Sequence, residues 1–412
     1  MKRLFGLVIL FFLAVGFVVL RSSPPVPEDV EPSGEAESSD SLQSAVWVAT
    51  AYGIDYPASP TTSTKQLKQQ CRDCLDTIQS AGFDTVYLQV RPSCDALYSS
   101  SLFPWSSYLT GTCGQAPSGG FDPLAYWVKQ AHKRALRLEA WVNPYRVCAG
   151  AEAESDWSAL PDDSPAKQHP EWVVKYDGGY YFDPGIPEVR QLVTDGVREI
   201  VENYDVDGVQ FDDSFYPGTD FADDASYQAY GDGQSLEDWR RDNVNQLIES
   251  VYETVHSYAK ADHCVFGVSP SGIWKNGYGG ESGSETRGFS HYSECYADSL
   301  AWVEHGWVDY LCPQIYWEIG NEAADFETLV SWWSDRLRGT DTRLIIGLAG
   351  YKIGDPENDS VWENDGVEEI SRQLALCRNT GGLSGVALFS CQTIQNNDAL
   401  FRLWNSQFTT KE

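Results

Sequence analysis

From residue 45 onwards, short apolar runs alternate with longer amphipathic stretches. The short runs are rich in β-branched and aromatic residues, which is typical of buried strands, while the longer stretches repeat apolar positions at helical spacing. Strands are predicted at residues 45–52, 84–90, 137–143, 207–212, 264–269, 308–316, 343–349 and 384–390. Helices are predicted at residues 64–81, 123–135, 186–204, 236–261, 293–305, 326–337 and 367–379.

Strands that alternate with helices form parallel sheets, and eight such units fit an α/β fold of the (β/α)8 TIM barrel type. The alternative is an open doubly wound sheet, but no glycine-rich phosphate-binding motif follows the first predicted strand. The connections at residues 146–183 and 215–238 are long for such a fold, and long ordered loops often contact a substrate. We therefore predict a barrel with long loops over residues 45–412.

The first 44 residues precede the alternating pattern of strands and helices. Lys2 and Arg3 precede an apolar run at residues 4–20, which has the pattern of an export signal and is just long enough to span a bilayer. Because no small-residue cleavage site follows, residues 1–21 are predicted to remain as a single-pass anchor, with a cleaved signal as the alternative. The positive residues place the barrel outside the cytoplasm. Residues 22–44 are predicted to be a disordered acidic linker.

The net charge and the aromatic content indicate which class of molecule the protein binds. The chain carries 60 acidic and 29 basic residues, for a net charge of −31, which repels phosphate backbones and excludes nucleic acid as a favoured partner. Its 15 Trp and 22 Tyr exceed what a core needs and offer rings that stack on sugars or peptides. A glycan polymer is therefore the favoured partner, with the membrane contacted through the N-terminal segment.

The cysteines indicate no catalytic thiol. Cys71 and Cys74 form a C-x-x-C motif within a helical pattern, where both fit core positions. Cys94 and Cys113 bracket a loop rich in Ser, Pro and Trp, so they are either a loop-closing disulfide or free thiols.

Metal and cofactor signals are weak as well. The six His lack a ligand spacing such as H-x-x-x-H, and no second C-x-x-C completes a zinc site. The stretch with Asp220, Asp223 and Asp224 is interpreted as a solvated acidic loop in preference to a calcium site. The sequence also has no G-x-S-x-G motif of a serine hydrolase. We predict neither a metal nor a cofactor.

Polar residues gather at the predicted carboxyl ends of the strands, where TIM-barrel enzymes have their active sites. Because strand side chains alternate between faces, four pairs are each expected to share a face: Gln89 with Arg91, Trp141 with Asn143, Gln210 with Asp212, and Gln314 with Tyr316. Ser269 ends the fifth predicted strand. The aromatic residues that follow strand ends are candidates for stacking on sugars or for loop packing: Trp105, Tyr145, Tyr216, Trp274 and Trp317.

Hydrolysis of a glycoside needs two carboxyl groups, one that donates a proton and one that attacks or activates water. Asp212 is well placed to be the first of them. For the second, Glu318 after the sixth strand is preferred to Asp213, and Asp95 is also available. Because neighbours on an extended chain point apart, Asp213 is expected to bind a sugar hydroxyl or to tune Asp212. The alternative is that the two aspartates only cap the following turn.

Several long motifs resemble the bacterial glycosyl-hydrolase-like 10 family, among them VWVATAYGIDYP (46–57), AWVNPYRV (140–147), DGVQFDDSFYP (207–217) and VDYLCPQIYWEIG (308–320). The resemblance covers nearly all of residues 45–407. It implies a (β/α)8 glycosidase-like domain, exported or lipid-anchored, of which some members act on peptidoglycan glycan strands stripped of stem peptides. The positions with the strongest family pattern are Arg91, Asn143, Arg146, Asp212, Asp213, Gln314 and Tyr316.

Two positions depart from the family pattern. Asp183 stands where the family has Asn in an N-P-G-I motif, and Glu318 is not at a fixed acidic position of the family. The second departure weakens the assignment of Glu318 as the partner of Asp212.

The sequence thus predicts an outward-facing glycoside hydrolase of cell-wall glycan, with Asp212, Glu318 and Asp213 as its catalytic candidates. The predicted substrate-binding residues are Arg91, Asn143, Arg146, Gln210, Ser269, Gln314, Tyr316, Trp317, Tyr216 and Trp274. Two rival hypotheses are a glycan-binding or scaffold protein without activity, and a glycosidase for another polysaccharide.

Overall fold

The computed structural model describes residues 42–277, 282–356 and 360–409. The predicted anchor and most of the predicted linker lie outside these residues. Within the described ranges, no helix is both long enough and apolar enough to cross a membrane.

The secondary structure follows the predicted alternation of strands and helices. The described strands are β1 (Gln43–Val48), β2 (Thr85–Arg91), β3 (Arg137–Val142), β4 (Arg146–Cys148), β5 (Val173–Tyr176), β6 (Gly179–Phe182), β7 (Gly208–Phe211), β8 (Val265–Val268), β9 (Tyr310–Leu311), β10 (Arg343–Leu348) and β11 (Gly385–Leu388). The first seven helices are α1 (Thr64–Ala81), α2 (Ser107–Thr110), α3 (Pro123–His132), α4 (Ala153–Ala159), α5 (Pro165–Gln168), α6 (Pro187–Asn203) and α7 (Asp224–Tyr230). They are followed by α8 (Leu236–Tyr258), α9 (His291–Glu294), α10 (Ser299–His305), α11 (Phe326–Leu337), α12 (Ser360–Asn379), α13 (Cys391–Asn396) and α14 (Asp398–Phe408).

Eight of the strands close into a parallel barrel. Around the barrel they follow one another as β1, β2, β3, β7, β8, β9, β10 and β11, and β11 pairs with β1. Spatial order therefore equals chain order, as expected when each strand is followed by a helix that returns the chain to the next strand. The predicted (β/α)8 barrel is confirmed.

Helix α1 illustrates how local sequence sets an element. The Ser63 hydroxyl caps its first turn by accepting a hydrogen bond from the Gln66 amide. Its apolar positions, which include both cysteines of the C-x-x-C motif, are buried. The helix ends at Ala81 and is followed by Gly82, whose φ of 96° is the left-handed conformation that glycine adopts at helix ends. A side chain at Gly82 would also lie 3.2 Å from Phe408.

The core has two layers. The outer layer packs the helices against the outside of the barrel, and the inner layer fills the barrel with the side chains of Trp47, Tyr87, Trp141 and Tyr310, among others. The inner layer also contains one carboxyl group, Glu139, which accepts a hydrogen bond of 2.6 Å from Tyr310 Oη. A filled interior leaves the loops at the strand ends as the place for a ligand.

Three predicted elements differ from the structure. The predicted helix 293–305 is two helices, α9 and α10, separated by Tyr296 with its φ of 56°. The sixth barrel strand is short because Pro313 has no N–H to donate and the Gln314 amide bonds instead to the Pro270 carbonyl at 2.9 Å. The long loop at residues 146–183 contains an antiparallel sheet in the order β4, β6, β5, which the sequence pattern did not indicate.

The acidic stretch after β7 also differs from the prediction. Asp223 is buried, and its carboxylate accepts two hydrogen bonds from the Arg240 guanidinium, at 2.8 and 2.6 Å. Asp220 accepts a hydrogen bond of 2.8 Å from Tyr176 Oη. The interpretation as a solvated loop was therefore wrong for Asp223, because the long helix α8 supplies a buried cation that sequence spacing does not reveal.

Cys94 and Cys113, which bracket the loop after β2, are both free thiols. Cys94 and Cys113 line a cavity of about 240 Å³, together with Cys148 and two aspartates, Asp95 and Asp156. Burial raises the pKa of the Cys94 thiol to about 12, so this thiol is held in its neutral form.

Candidate active site

A cavity of about 220 Å³ lies at the carboxyl ends of the barrel strands. It is lined by Trp47, Ala49, Ala51, Tyr52, Ile54, Gln89, Trp141, Arg146, Asp212, Asp213, Gln314, Tyr316 and Phe389. A larger, open groove of about 520 Å³ lies on the outer flank of the barrel between α3 and α6. We take the smaller cavity as the candidate active site, because it contains two carboxyl groups at the end of a barrel where such folds do their chemistry.

Two side-chain amides, Gln89 and Asn143, link the loop after β1 to Asp212, and we call them the amide chain. The backbone N–H groups of Thr50 and Ala51 donate to Gln89 Oε1 at 2.8 and 2.9 Å. Gln89 Nε2 in turn donates to Asn143 Oδ1 at 2.7 Å, and Asn143 Nδ2 donates to Asp212 Oδ2. Because backbone donors fix the first amide, the orientation of the second is fixed too.

Asp212 is a buried carboxyl group that accepts hydrogen bonds at both oxygens. Besides the bond from Asn143, its Oδ1 accepts the Ser214 amide at 3.0 Å. Burial raises the pKa of Asp212 to about 6, and the negative charge of Asp213 contributes to the rise, while the Arg146 guanidinium opposes it. The hydrogen bonds favour the ionised form, so the group is a carboxylate above about pH 6.

The structure brings Asp213 into the same cavity as Asp212. Strand β7 ends before this pair, so the alternation of faces that predicted divergence no longer applies. Burial raises the pKa of Asp213, while a hydrogen bond from Gln314 and the charge of Arg146 lower it. The carbonyl of Asp213 lies 3.1 Å from His291 Nε2. Burial lowers the pKa of His291 to about 4, so at neutral pH this ring is uncharged and donates from Nε2.

Glu318 and Asp95 are not brought to this cavity. Glu318 Oε1 accepts a hydrogen bond of 2.7 Å from Asn321 Nδ2, and its Oε2 accepts one of 3.2 Å from Trp362 Nε1. Both oxygens are thus turned to its own loop and to α12. Asp95 lines the separate cavity that contains the three cysteines, and it accepts the Ser93 amide at 3.0 Å.

Arg91 points away from the cavity, contrary to the expectation that it shares a face with Gln89. The pairing of β2 with β3 shifts register between these two residues, and such an irregularity reverses the alternation of faces. The Arg91 guanidinium is buried and stacks on the Phe103 ring at 3.6 Å. A Cβ atom at Gly196 on α6 would lie 2.5 Å from Arg91 Nη1, so the side chain packs between the barrel and this helix.

The other polar candidates divide into two groups. Three of them line the cavity: Arg146, Gln314 and Tyr316. Gln210 and Ser269 are fully buried instead. Gln210 Oε1 accepts a hydrogen bond of 2.8 Å from Trp47 Nε1, and Ser269 Oγ donates to the Cys312 carbonyl at 2.7 Å. These two side chains support the strand ends beneath the cavity.

Three of the aromatic residues predicted to bind substrate pack elsewhere. Tyr216 is buried with its ring edge-on to Tyr296. Trp274 is buried too and stacks on Trp332, with ring centroids 5.9 Å apart. Trp317 is half-buried and packs against the core without lining the cavity.

Five aromatic residues line the cavity, and only one of them, Tyr316, was predicted to bind substrate. The other four are Trp47, Tyr52, Trp141 and Phe389. Trp47 and Trp141 face inward from the apolar ends of β1 and β3. The alternation of side-chain faces along these strands could have predicted this orientation. The Trp141 indole N–H is buried and has no hydrogen-bond partner within the described residues. It is therefore a donor available to a ligand.

Within the described ranges, no group of three or more His, Cys, Asp and Glu side chains is arranged to hold a metal ion. The chemistry that the cavity itself offers is that of two adjacent carboxyl groups with raised pKa values, beside one guanidinium group and several aromatic rings.

The sequence profile of the family described as Glycosyl hydrolase-like 10 matches residues 43–364. The chain belongs to this family. Two curated relatives of this glycosyl hydrolase-like 10 protein are also described as glycosyl hydrolases. Glycosyl hydrolase DigH of Escherichia coli (strain K12) is 39% identical over 404 residues, which cover 92% of this chain and 91% of the relative. Glycosyl hydrolase YngK of Bacillus subtilis (strain 168) is 40% identical over 366 residues, which cover 87% of this chain and 70% of the relative.

Solved structures of low sequence identity share the barrel of this glycosyl hydrolase-like 10 protein. The glycoside hydrolase domain of PgaB (BpsB) from Bordetella bronchiseptica aligns with a TM-score of 0.58 at 14% identity, covering 90% of this chain and all of that domain (100%). The catalytic domain of β-amylase from Paenibacillus polymyxa aligns with a TM-score of 0.51 at 11% identity, covering 89% of this chain and 98% of that one. At such identities the likeness shows the fold alone.

Proposed function

We propose that the protein is a glycoside hydrolase that cleaves O-glycosidic bonds in cell-wall glycan, with peptidoglycan strands free of stem peptides as its substrate. The observation that carries this proposal is the pair of carboxyl groups, Asp212 and Asp213, in one cavity at the strand ends. Membership of a glycosyl hydrolase-like family supports the reaction class. The resemblance found in the sequence motifs supports the choice of glycan.

In this mechanism Asp212 is the carboxylate at the anomeric centre. Its two oxygens accept hydrogen bonds from Asn143 and Ser214, which is the pattern of an ionised group. Asp213 is the second carboxyl group and donates a proton to the leaving glycosidic oxygen. It then takes a proton back from the water that adds to the anomeric carbon, so the sum of the steps is hydrolysis.

The remaining polar residues of the cavity would bind the sugar. The Arg146 guanidinium and the Gln314 amide offer donors to ring hydroxyl groups, and the Trp141 N–H offers a further donor that no described residue occupies. Tyr316 closes one wall with its ring edge-on to Tyr351. The volume of about 220 Å³ suits a single sugar unit rather than a long stretch of polymer.

The proposed location rests on the sequence pattern of residues 1–44. An apolar segment after Lys2 and Arg3 would anchor the chain, and an acidic linker would hold the barrel outside the cytoplasm near the cell wall. Fractionation of cells followed by protease treatment of intact spheroplasts would test this location. Protection of the barrel from the protease would contradict it.

The decisive experiment incubates the purified protein with peptidoglycan glycan strands, with and without stem peptides, and identifies the products by mass spectrometry. We expect wild type to cleave the peptide-free strands, and Asp212→Asn and Asp213→Asn to reduce kcat by about 100-fold or more. Glu318→Gln is the matched control, because this carboxyl group faces away from the cavity, and it should retain activity.

The possible outcomes separate the hypotheses. Strand binding without products from wild type would favour a glycan-binding protein. Cleavage of a different polysaccharide, but not of peptidoglycan strands, would retain the enzyme and reject the substrate. Full activity of Asp212→Asn would reject the assignment of the carboxylate.

A further inference from the structure

Tyr52 combines an exposed ring with an unfavourable backbone conformation. It lines the candidate active site, yet 60% of its surface is exposed, the largest fraction among the exposed large hydrophobic residues described. Its φ of 57° and ψ of 14° lie in the left-handed region, which is unfavourable for a residue with a Cβ atom and a large side chain. Burial of the ring does not compensate for this cost, because the ring is mostly exposed. Such strain is typical of positions where the side chain has a function.

Two side chains, the buried Gln89 and the half-buried Asp55, hold the turn around Tyr52 in place. On one side, Gln89 Oε1 accepts the backbone N–H groups of Thr50 and Ala51. On the other side, the Asp55 carboxylate accepts the Ala49 amide at 2.7 Å and two further donors from the turn after β11. The backbone conformation is therefore set by groups that are independent of the tyrosine ring.

The edges of the ring contact helix α2 and the loop after β4. Tyr52 Oη donates to the Ala149 carbonyl at 3.2 Å. Gly150, at a φ of 84°, lets that loop approach, since a Cβ there would lie 2.9 Å from Tyr52 Oη. Tyr108 meets the ring edge-on, with centroids 5.4 Å apart. These contacts fix the orientation of the ring while leaving most of it open to solvent.

We infer that Tyr52 is the stacking platform of a second sugar-binding subsite, which holds the sugar unit next to the one at the paired carboxyl groups. This inference rests on the proposed function and specifies how a polymer would be held. The apolar face of a sugar ring stacks on an exposed aromatic ring. Because the amide chain joins the turn of Tyr52 to Asp212, the platform is fixed relative to the carboxylate.

The platform predicts a dependence on glycan length. A monosaccharide at the paired carboxyl groups meets only the rim of the Tyr52 ring that lines the cavity, whereas a longer oligosaccharide also stacks on the exposed face of the ring. Removal of the ring should therefore weaken the binding of oligosaccharides more than that of monosaccharides.

The test uses Tyr52→Gly, because glycine adopts the left-handed conformation without strain and the variant should be at least as stable as wild type. Binding is measured by calorimetry in the Asp212→Asn background, with peptide-free glycan oligosaccharides of increasing length. We expect Tyr52→Gly to weaken the binding of the longer oligosaccharides about tenfold, which corresponds to about 1.4 kcal/mol. Tyr52→Phe, which keeps the ring, should rescue most of that loss.

Tyr258→Ala is the matched control. Tyr258 is a similarly exposed tyrosine, 44% accessible, at the end of α8 and hence at the opposite end of the barrel. Equal binding of long oligosaccharides by Tyr52→Gly and Tyr258→Ala would overturn the inference, as would equal losses for monosaccharides and oligosaccharides.

The same variants in the active background separate this inference from the proposed function. Cleavage that does not depend on Tyr52 would leave the hydrolase intact and reject the subsite. Binding that depends on Tyr52, with no cleavage by wild type, would retain the subsite and reject hydrolysis. Absence of oligosaccharide binding by every variant would reject both.

Discussion

At the scale of single residues, the state of Asp212 is set by two opposing effects. Burial and the neighbouring charge of Asp213 raise its pKa, while the oriented donors Asn143 and Ser214 stabilise its ionised form. A pKa of about 6 is the balance of the two. A carboxylate that is held against its tendency to take up a proton is a stronger base and nucleophile than an exposed one.

This balance predicts how the stability of the protein depends on pH. The pKa of Asp212 is about 6 in the folded state and 3.8 in its ordinary state. Between these values the folded protein keeps the proton that the unfolded chain has lost, so the free energy of unfolding falls as the pH rises through that window. In Asp212→Asn the titrating carboxyl group is replaced by an amide, so the variant does not show this fall in stability. Relative to wild type, the variant should therefore gain up to about 3 kcal/mol between about pH 4 and pH 7.

Urea unfolding of both proteins across this pH range measures the difference directly. Buried acids that do not interact with Asp212 titrate alike in both proteins and cancel in the comparison, whereas the coupled Asp213 contributes to the measured difference. A difference between the two proteins that stays constant with pH would contradict the raised pKa, whatever the effect of the substitution on activity.

At the scale of secondary structure, the hydrophobic pattern predicted the barrel and the helices well. Apolar runs located each barrel strand because both faces of a parallel strand are buried. The pattern failed where a single residue changes the geometry. The register shift after Gln89 turns Arg91 outward, and nothing in an apolar run signals such a shift.

The candidate site was predictable to a similar extent. Alternation placed Asn143, Asp212, Gln314 and Tyr316 at the mouth of the barrel, and the structure places them there. Alternation did not predict that Asp213 lies in the same cavity, because β7 ends before this residue. The orientation of carboxyl groups in loops depends on long-range partners such as Trp362 for Glu318, which the sequence alone does not identify.

The contact between β3 and β9 inside the barrel gives a second prediction. Glu139 is fully buried, and burial raises its pKa to about 7, while the hydrogen bond from Tyr310 Oη lowers it. Tyr310→Phe removes that donor and should destabilise the fold by about 1–3 kcal/mol. The loss should be larger at pH 8 than at pH 6, because the bond favours the ionised form that dominates above pH 7.

Thermal and urea unfolding at the two pH values test this expectation. Tyr145→Phe is the matched control, since the buried Tyr145 hydroxyl has no hydrogen-bond partner among the described residues. Equal effects of the two substitutions would show that the Tyr310 hydroxyl contributes nothing specific to the barrel.

At the scale of the whole molecule, the barrel is closed by the two ends of the described chain. The family profile matches residues 43–364, but the last strand, β11, follows at Gly385–Leu388 and pairs with β1. The Trp404 indole on α14 stacks on Phe83 and donates from Nε1 to Ser44 Oγ at 2.7 Å. Residues beyond the matched region are therefore needed to complete the fold that holds the site.

The start of β1 gives the last prediction. The barrel was expected from residue 45, but β1 begins at Gln43. The Gln43 amide donates to the Ser384 carbonyl at 2.9 Å, and the Ser44 amide donates to Asp84 Oδ2, also at 2.9 Å. A fragment that starts at residue 45 loses these bonds and leaves the buried Trp404 N–H without its acceptor.

We therefore expect the fragment 45–412 to be less stable than the fragment 42–412 by about 2–4 kcal/mol, because several buried hydrogen bonds are lost and one buried donor stays unsatisfied. Urea unfolding of the two fragments measures this difference. Ser44→Ala in the longer fragment isolates the contribution of the Trp404 bond and should account for about 1–2 kcal/mol of it. Equal stability of the two fragments would mean that the barrel closes without the first residues of β1, and that Ala45 and Val46, together with the pairing to β10, suffice to hold β11 in register.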